Sequence, residues 1–195
     1  MAHRAMTDVS DDDLVRRARD GDREAFGALV ERHQAAALRL ATAVVSSREE
    51  ARDIVQEAFV KAYRGIDRYR GDSPVRPWLL RIVANEAKNW GRGSGRRAKR
   101  EVRHGRLAVV PPPAPDELAE QSDDVSRVAA ALATMRGADR EVLAFRFVAG
   151  LSEAETAVAM GTSVGTVKSR TSRALARLRG VLSERPEPDA GGDER

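Results

Sequence analysis

Between Leu151 and Arg179 the chain reads LSEAETAVAMGTSVGTVKSRTSRALARLR, and this stretch constrains the fold more than any other. Its residues predict two short helices joined by a tight turn. Ser152 precedes a helical run and Glu155 follows three residues later, the spacing of a capping box. The first helix is expected to end near Met160, with Gly161 as the turn residue because glycine adopts positive φ without a Cβ penalty. Ser163 is the next N-cap candidate. In the second helix Val167, Ala174, Leu175 and Leu178 fall near one face. Lys168, Arg170, Arg173, Arg177 and Arg179 lie mostly off it, and no acidic residue stands between Val164 and Gly180. A helix–turn–helix with a basic second helix, small-residued at its start, fits a DNA major groove. An ordinary helical hairpin with a solvated basic face is the plainer alternative.

The rest of the chain agrees with a helical protein. Hydrophobic residues make up 42% of the 195 positions but aromatics only 4%, so a core must come mainly from Ala, Leu and Val, which suits helix packing. Ser10 followed by Asp11, Asp12 and Asp13 is a helix start, because carboxylates favour the positive end of the helix dipole. Helical patterning continues to about Val45, with a turn at Gly21-Asp22, and a new start is marked by Ser46-Ser47. Ile54, Val55, Ala58, Phe59, Ala62 and Tyr63 then form one apolar stripe. Residues 64–77 hold two Gly and two Pro and read as loop. A further helix is expected from Pro77, burying Trp78, Leu79, Ile82 and Val83 and fading at 91–95.

After a basic stretch (Arg96, Arg97, Lys99, Arg100, Arg103), residues 109–115 read VVPPPAP and favour an extended conformation. Helical signal resumes at Asp123, with Val125, Val128, Leu132 and Met135 on one face. It breaks at Gly137-Ala138-Asp139 and continues from about Arg140 to Val148. The expected organisation is all-α: two small helical domains joined by a Pro-rich linker. Its parts are a leader at 1–9, a first domain at 10–100, the linker at 101–122, a second domain at 123–183 and a polar tail at 184–195.

Several chemistries are disfavoured. The chain has no cysteine, which excludes disulfides, thiol catalysis and Cys-based zinc sites. His3, His33 and His104 share no metal-ligand spacing, and no catalytic set, metal or cofactor is expected. Asp53 with Glu57 could in principle hold a metal, but with no cysteine and scattered histidines a metal-dependent nuclease finds little support. No apolar run approaches the ~20 residues needed to cross a bilayer, and the start lacks the apolar segment of a signal peptide. A soluble cytoplasmic protein is expected. The net charge of +4 says less than its distribution, since the cations cluster while both ends are acidic.

The motif LSEAETA…MGTSVGTVKSRTSRALARLR closely resembles the −35-reading region 4.2 of the bacterial sigma-70 superfamily, especially its extracytoplasmic-function (ECF) group. DIVQEAFVKAY (53–63) resembles region 2.2, and RPWLLRIVANEAKNW (76–90) resembles the helix of region 2.4, in the family's order. The resemblance covers about residues 10–182. It implies a subunit that gives core RNA polymerase its promoter specificity and performs no covalent chemistry itself.

By that resemblance Asp53, Gln56 and Glu57, which share a helix face at i, i+3, i+4, would dock on the β′ clamp. The −10 element would be met by Tyr69, Arg70 and Ser73 in the loop, and by Arg81, Asn85, Lys88 and Asn89 on the helix. Asn suits base edges, Arg and Lys suit phosphates, and an aromatic ring stacks on an unpaired base. Trp90 could be core or contact. The −35 element would be met by Ser163, Gly165, Thr166, Lys168, Ser169, Arg170 and Arg173, beside the β flap. Arg170 and Arg173 are the candidates for groove contacts, while Arg177 and Arg179 are expected to meet phosphate or solvent. A cognate anti-sigma factor is a further partner the resemblance implies. Thr156 and Met160 depart from the usual aliphatic residues at positions that should be buried. The competing reading is a stand-alone helix–turn–helix regulator, which has no need of the two motifs in the first domain.

Overall fold

A computed structural model describes residues 9–45, 48–103, 128, 130–132, 134, 135 and 137–183, with the backbone alone from 92 to 103. Residues 1–8 of the expected leader, the Ser46-Ser47 helix start, residues 104–122 of the linker, the resumption at Asp123 and the tail lie outside the described residues, as do the basic side chains of 96–103. Among the described residues the structure is helical with no strands. Helix α1 spans Asp11–Arg19, α2 Arg23–Val45, α3 Arg48–Arg64 and α4 Val75–Arg103. Helix α5 spans Gly137–Leu143 and runs into a π-helical turn, Ala144–Val148; α6 spans Glu153–Met160 and α7 Val164–Ser183.

Local chemistry sets the first boundaries. The Ser10 hydroxyl accepts from the Asp13 N–H at 3.1 Å, and three Asp residues occupy the first turn of α1. Gly21 takes φ of 90°, reversing the chain, and the Asp22 carboxylate accepts from the Ala25 N–H at 3.1 Å to start α2. That bond, with the Arg17 guanidinium, holds the Asp22 carboxyl below its ordinary range. The stripes read from the sequence then meet. Leu14, Val15, Leu29, Leu40, Ile54, Ala58, Phe59, Leu79, Leu80 and Val83 form one buried cluster among α1–α4. Lys61 on α3 bridges to Glu86 on α4 at 2.6 Å, which raises the lysine above its ordinary value.

Two boundaries differ from the sequence reading. Helix α4 begins at Val75, so Pro77 lies inside its first turn, and it runs past residues 91–95 to Arg103. Proline costs nothing at positions whose N–H has no intrahelical acceptor, and each glycine weakens a helix by only about 1 kcal/mol. Helix α5 begins at Gly137, three residues before the expected start, and Asp139 sits in its first turn rather than in a break. Val128, expected on the buried face, is exposed, whereas Leu132 is buried and Met135 packs beside it.

A smaller cluster of Leu132, Val142, Leu143, Ala157, Val167 and Ala174 joins α5, α6 and α7. The two clusters are not isolated. Phe145, Ala149, Leu151 and Ala159 belong to the first, because α4 packs on α6 and α2 packs on the π-helical turn.

Candidate polymerase and nucleic-acid interfaces

The helix–turn–helix takes the geometry its residues dictate. The Ser152 hydroxyl accepts from the Glu155 N–H at 3.1 Å, and the Glu155 carboxylate accepts from the Ser152 N–H at 2.8 Å. Burial pushes the Glu155 carboxyl up, but these bonds to Ser152, with Arg76 and Arg146 nearby, outweigh it and hold the group below its ordinary range. Gly161 adopts φ 61°, ψ 43°, the left-handed conformation that closes α6. Ser163 caps α7 by accepting from the Thr166 N–H at 3.2 Å.

Helix α7 buries Val167 and Ala174 and turns Gly165, Lys168, Ser169, Ser172, Arg173 and Ala176 outward. Five of the seven residues expected at the −35 element are exposed; Thr166 and Arg170 are half-buried. Ser172 was missed by the sequence reading, although helical spacing from Ser169 places it on the same stripe. The Arg173 Nε donates to the Ser169 carbonyl at 3.2 Å, which aligns the guanidinium along this face. Arg177 is different. It pairs with Asp139 of α5, whose side chain is 11% exposed, while the arginine side chain itself stays 52% exposed, so one end ties the domain together and the rest faces solvent as expected. Thr156 is fully buried and its hydroxyl has no hydrogen-bond partner among the described residues. Met160 is half-buried and touches both clusters.

The second candidate face lies on α4 and the loop before it. Asn85, Asn89, Arg81 and Arg70 are exposed, and Ser73 and Lys88 are half-buried. Tyr69 requires a correction. Its ring is 3% exposed, its hydroxyl donates to the Ser73 carbonyl, Trp78 lies 5.4 Å away and the Arg19 guanidinium 5.8 Å away. A buried ring cannot stack on an unpaired base; Tyr69 instead fixes the loop. Burial also pushes its hydroxyl pKa up. Trp90, which sequence alone left open, is 41% exposed and is the aromatic ring available on α4.

On α3 the side chains of Asp53, Gln56 and Glu57 are all exposed, with Glu57 3.6 Å from Lys61. Beside them an open groove of about 860 Å³ runs between α2 and α3. Phe26, Val30, Leu38, Val55, Phe59, Val60 and Tyr63 supply its apolar lining, and Arg23, Gln34, Arg52 and Gln56 its polar lining. Sequence reasoning found the polar triplet but not the groove, because Val30 and Leu38 come from a different helix. No group of three or more His, Asp or Glu residues able to hold a metal occurs among the described residues. No helix there is long and apolar enough to cross a membrane.

A capped helix–turn–helix with a basic second helix, a second polar helix face and an open, largely apolar groove suit a helical DNA-binding protein that meets a protein partner. Residues 29–97 match Sigma-70 region 2, and residues 126–178 match Sigma-70, region 4. The chain is 33% identical over 187 residues to RNA polymerase sigma factor NccH of Alcaligenes xylosoxydans xylosoxydans, covering 91% of this chain and 97% of that one. It is 36% identical over 176 residues to the ECF RNA polymerase sigma-E factor of Escherichia coli strain K12, covering 85% and 91%. Among solved structures, CnrH in complex with the cytosolic domain of CnrY matches with a TM-score of 0.67 at 29% identity, covering 87% of this chain and 94% of that one. The sigma factor RpoE of Bartonella quintana, in complex with the anti-sigma factor NepR, matches at 0.64 and 28%, covering 82% and 98%. The chain belongs to the sigma-70 family of RNA polymerase sigma factors, in its extracytoplasmic-function group. It is an alternative sigma factor, directing core RNA polymerase to a promoter class and initiating transcription there.

Proposed function

We propose the following division of its surfaces. The α3 face of Asp53, Gln56 and Glu57, with the adjoining groove, docks on the β′ clamp of core polymerase. The exposed carboxylates meet cations of the partner, and the groove takes its apolar side chains. Helix α7 enters the −35 major groove beside the β flap. Arg173 makes the principal base contact, because Arg binds guanine bidentately and this side chain is exposed. Arg170 assists from its half-buried position. Ser163, Gly165, Thr166, Lys168 and Ser169 hold the backbone at the helix N-terminus, joined by Ser172. The outer face of α4 meets the opened −10 strand through Asn85 and Asn89 at base edges, Arg81 and Lys88 at phosphates and Trp90 by stacking. Arg70 and Ser73 act from the loop that Tyr69 braces.

Residues 10–100 thus form the polymerase-binding and −10 unit, 123–183 the −35 unit, and 101–122 the linker between them. The protein acts in the cytoplasm, where its polymerase is. A cognate anti-sigma factor is its further partner, a reading supported by the Bartonella quintana relative having been solved with one. The observation that carries the whole is one chain that matches both Sigma-70 region 2 and region 4 and bears two exposed polar helix faces and an apolar groove; a stand-alone regulator does not need the first region. Purified protein added to core polymerase should give discrete run-off transcripts from one promoter class. Tight, specific DNA binding without polymerase, and no transcripts, would select the stand-alone regulator.

A further inference from the structure

The loop assigned to the −10 element is held from α1, a helix with no assigned contact to DNA or polymerase. Arg19 is the last residue of α1 and follows the buried Ala18. Its Nε donates to the Ile66 carbonyl at 3.2 Å, and its guanidinium lies 5.8 Å from the centre of the Tyr69 ring. The same carbonyl accepts from the Tyr69 N–H at 3.2 Å, so one peptide oxygen takes two donors where the loop begins. The Tyr69 hydroxyl then donates to the Ser73 carbonyl across the loop, and Trp78 on α4 packs on the ring at 5.4 Å.

Between these ties the loop has little stiffness of its own. Arg70, Gly71 and Asp72 are exposed, and Gly71 takes φ of 77°, a conformation that glycine enters and leaves at low cost. Where Arg70 and Ser73 stand therefore depends on where the ends of the loop are fixed. Helix α1 is a firm support for one end. Leu14, Val15 and Ala18 are buried in the first cluster, and the Asp11 carboxylate bonds to His33 at 2.8 Å and to Arg32, both on α2. A guanidinium serves both tasks at the other end of α1, because its N–H edge meets a carbonyl while its cationic plane attracts an aromatic ring. A loop ordered in advance spares the ordering cost when its ligand arrives.

We propose that Arg19 is a positioning residue for −10 recognition: by fixing the Ile66 carbonyl and the Tyr69 ring it presents residues 70–73 to the opened strand. The proposal rests on the assignment of this loop and α4 as the −10 reader. Arg19 touches no base and acts through Tyr69. Its removal leaves the ring against Trp78 but frees the peptide at which the loop begins. Affinity for the opened strand should fall about tenfold, the scale of one hydrogen bond from a charged donor. Neither α7 nor the α2–α3 groove includes Arg19, so −35 binding and core binding stay as they are.

The test uses full-length protein assembled with core polymerase. The probe is a fluorescent single-stranded oligonucleotide carrying the non-template −10 element of a promoter that the unmodified holoenzyme transcribes. Anisotropy should show about tenfold weaker binding for Arg19→Ala, with unchanged affinity for core polymerase and for a −35 duplex. Arg17→Ala is the control, because Arg17 bonds to Asp22 from the same helix and does not reach the loop; it should bind the strand like the parent. The losses in Arg19→Ala and Tyr69→Phe should not add in the double variant, since both act on one loop. The slope of log affinity against log salt should be the same for Arg19→Ala as for the parent. A slope smaller by about 0.7 would show that Arg19 itself holds a phosphate and would overturn the positioning role. Additive losses, an equal loss in Arg17→Ala, or parental binding by Arg19→Ala would overturn it too. Circular dichroism verifies folding, and Arg19→Met, which keeps the apolar stem without the N–H groups or the charge, is read in the same way if Arg19→Ala does not fold. An unmodified holoenzyme that transcribes but does not bind the strand sinks the −10 assignment and the positioning role with it, whereas normal parental binding unaffected by Arg19→Ala sinks the positioning role alone.

Discussion

Replacing Thr156 with Val should stabilise the helix–turn–helix. Thr156 is fully buried in α6, and its hydroxyl has no hydrogen-bond partner among the described residues. A buried hydroxyl left unpaired costs about 1–3 kcal/mol relative to an apolar group of the same shape. Valine keeps the β-branched outline and has nearly the same helix propensity, so neither rotamer freedom nor backbone preference changes much. The expected gain is therefore about 1–3 kcal/mol, or a rise in Tm of about 2–4 °C per kcal/mol for a chain of this size. Urea titration followed by helical circular dichroism should show a higher midpoint with an unchanged slope. Thr156→Ser is the control. It keeps the hydroxyl and loses a methyl, and should destabilise by about 1 kcal/mol. Affinity for a −35 duplex should not move, since Thr156 lies beneath the DNA-facing stripe. A Thr156→Val protein less stable than the parent would refute the reasoning. It would show that the hydroxyl bonds back to the Ser152 carbonyl, which already accepts from the Thr156 N–H at 2.9 Å.

Arg173→Ala should weaken binding to a −35 duplex by about 1–3 kcal/mol while core-polymerase affinity stays constant, as read by fluorescence anisotropy for each partner; loss of core binding would show the residue is misassigned. Arg177→Ala should instead destabilise the second domain by about 1–3 kcal/mol, measured by thermal melting, because it leaves the Asp139 carboxylate buried without its partner. Acidification should loosen α1. His33 is 4% exposed and bonds to Asp11 at 2.8 Å. Burial lowers its pKa below the ordinary 6.5, Asp11 opposes this, and Arg76 and Arg32 add to the lowering. The stability from keeping the imidazole neutral is complete above pH 6.5 and is lost as pH falls through the folded value. Urea midpoints at pH 7.5 and 5.5 should therefore differ in favour of the higher pH, and the difference should shrink in His33→Gln. Glu155, held below its ordinary range, acts in the same direction at lower pH: the capping box is complete above about 4.5 and fails as the carboxylate protonates.

What could be read from sequence was whatever depends on near neighbours. The Ser152–Glu155 box, the left-handed Gly161, the Ser163 cap and the apolar stripes of α3 and α4 all appear in the structure, because each is decided within one or two helical turns. Boundaries set by weak competition were misjudged. Glycines near 91–95 do not stop α4, and Gly137 opens α5 instead of interrupting it. The candidate interfaces divide along the same line. Spacing alone puts Asp53, Gln56 and Glu57 on one face and Arg173 on the outer stripe of α7. The roles of Tyr69 and Arg177 depended on groups far along the chain: Arg19 fifty residues before Tyr69, and Asp139 thirty-eight residues before Arg177.

The sequence by itself determined a helical, cysteine-free chain with a capped helix–turn–helix and a second polar helix face, and through its motifs the family. Those properties follow from backbone propensity, capping and periodicity, which act over a few residues. Only the tertiary structure decided which cations are available. Arg76, Lys88 and Arg177 carry the same charge as Arg173. Yet the first three end on a carbonyl or carboxylate of another element, while the fourth faces outward. Partner choice for a long flexible cation is a matter of distance in space, and that distance is set by how α4, α5, α6 and α7 pack together.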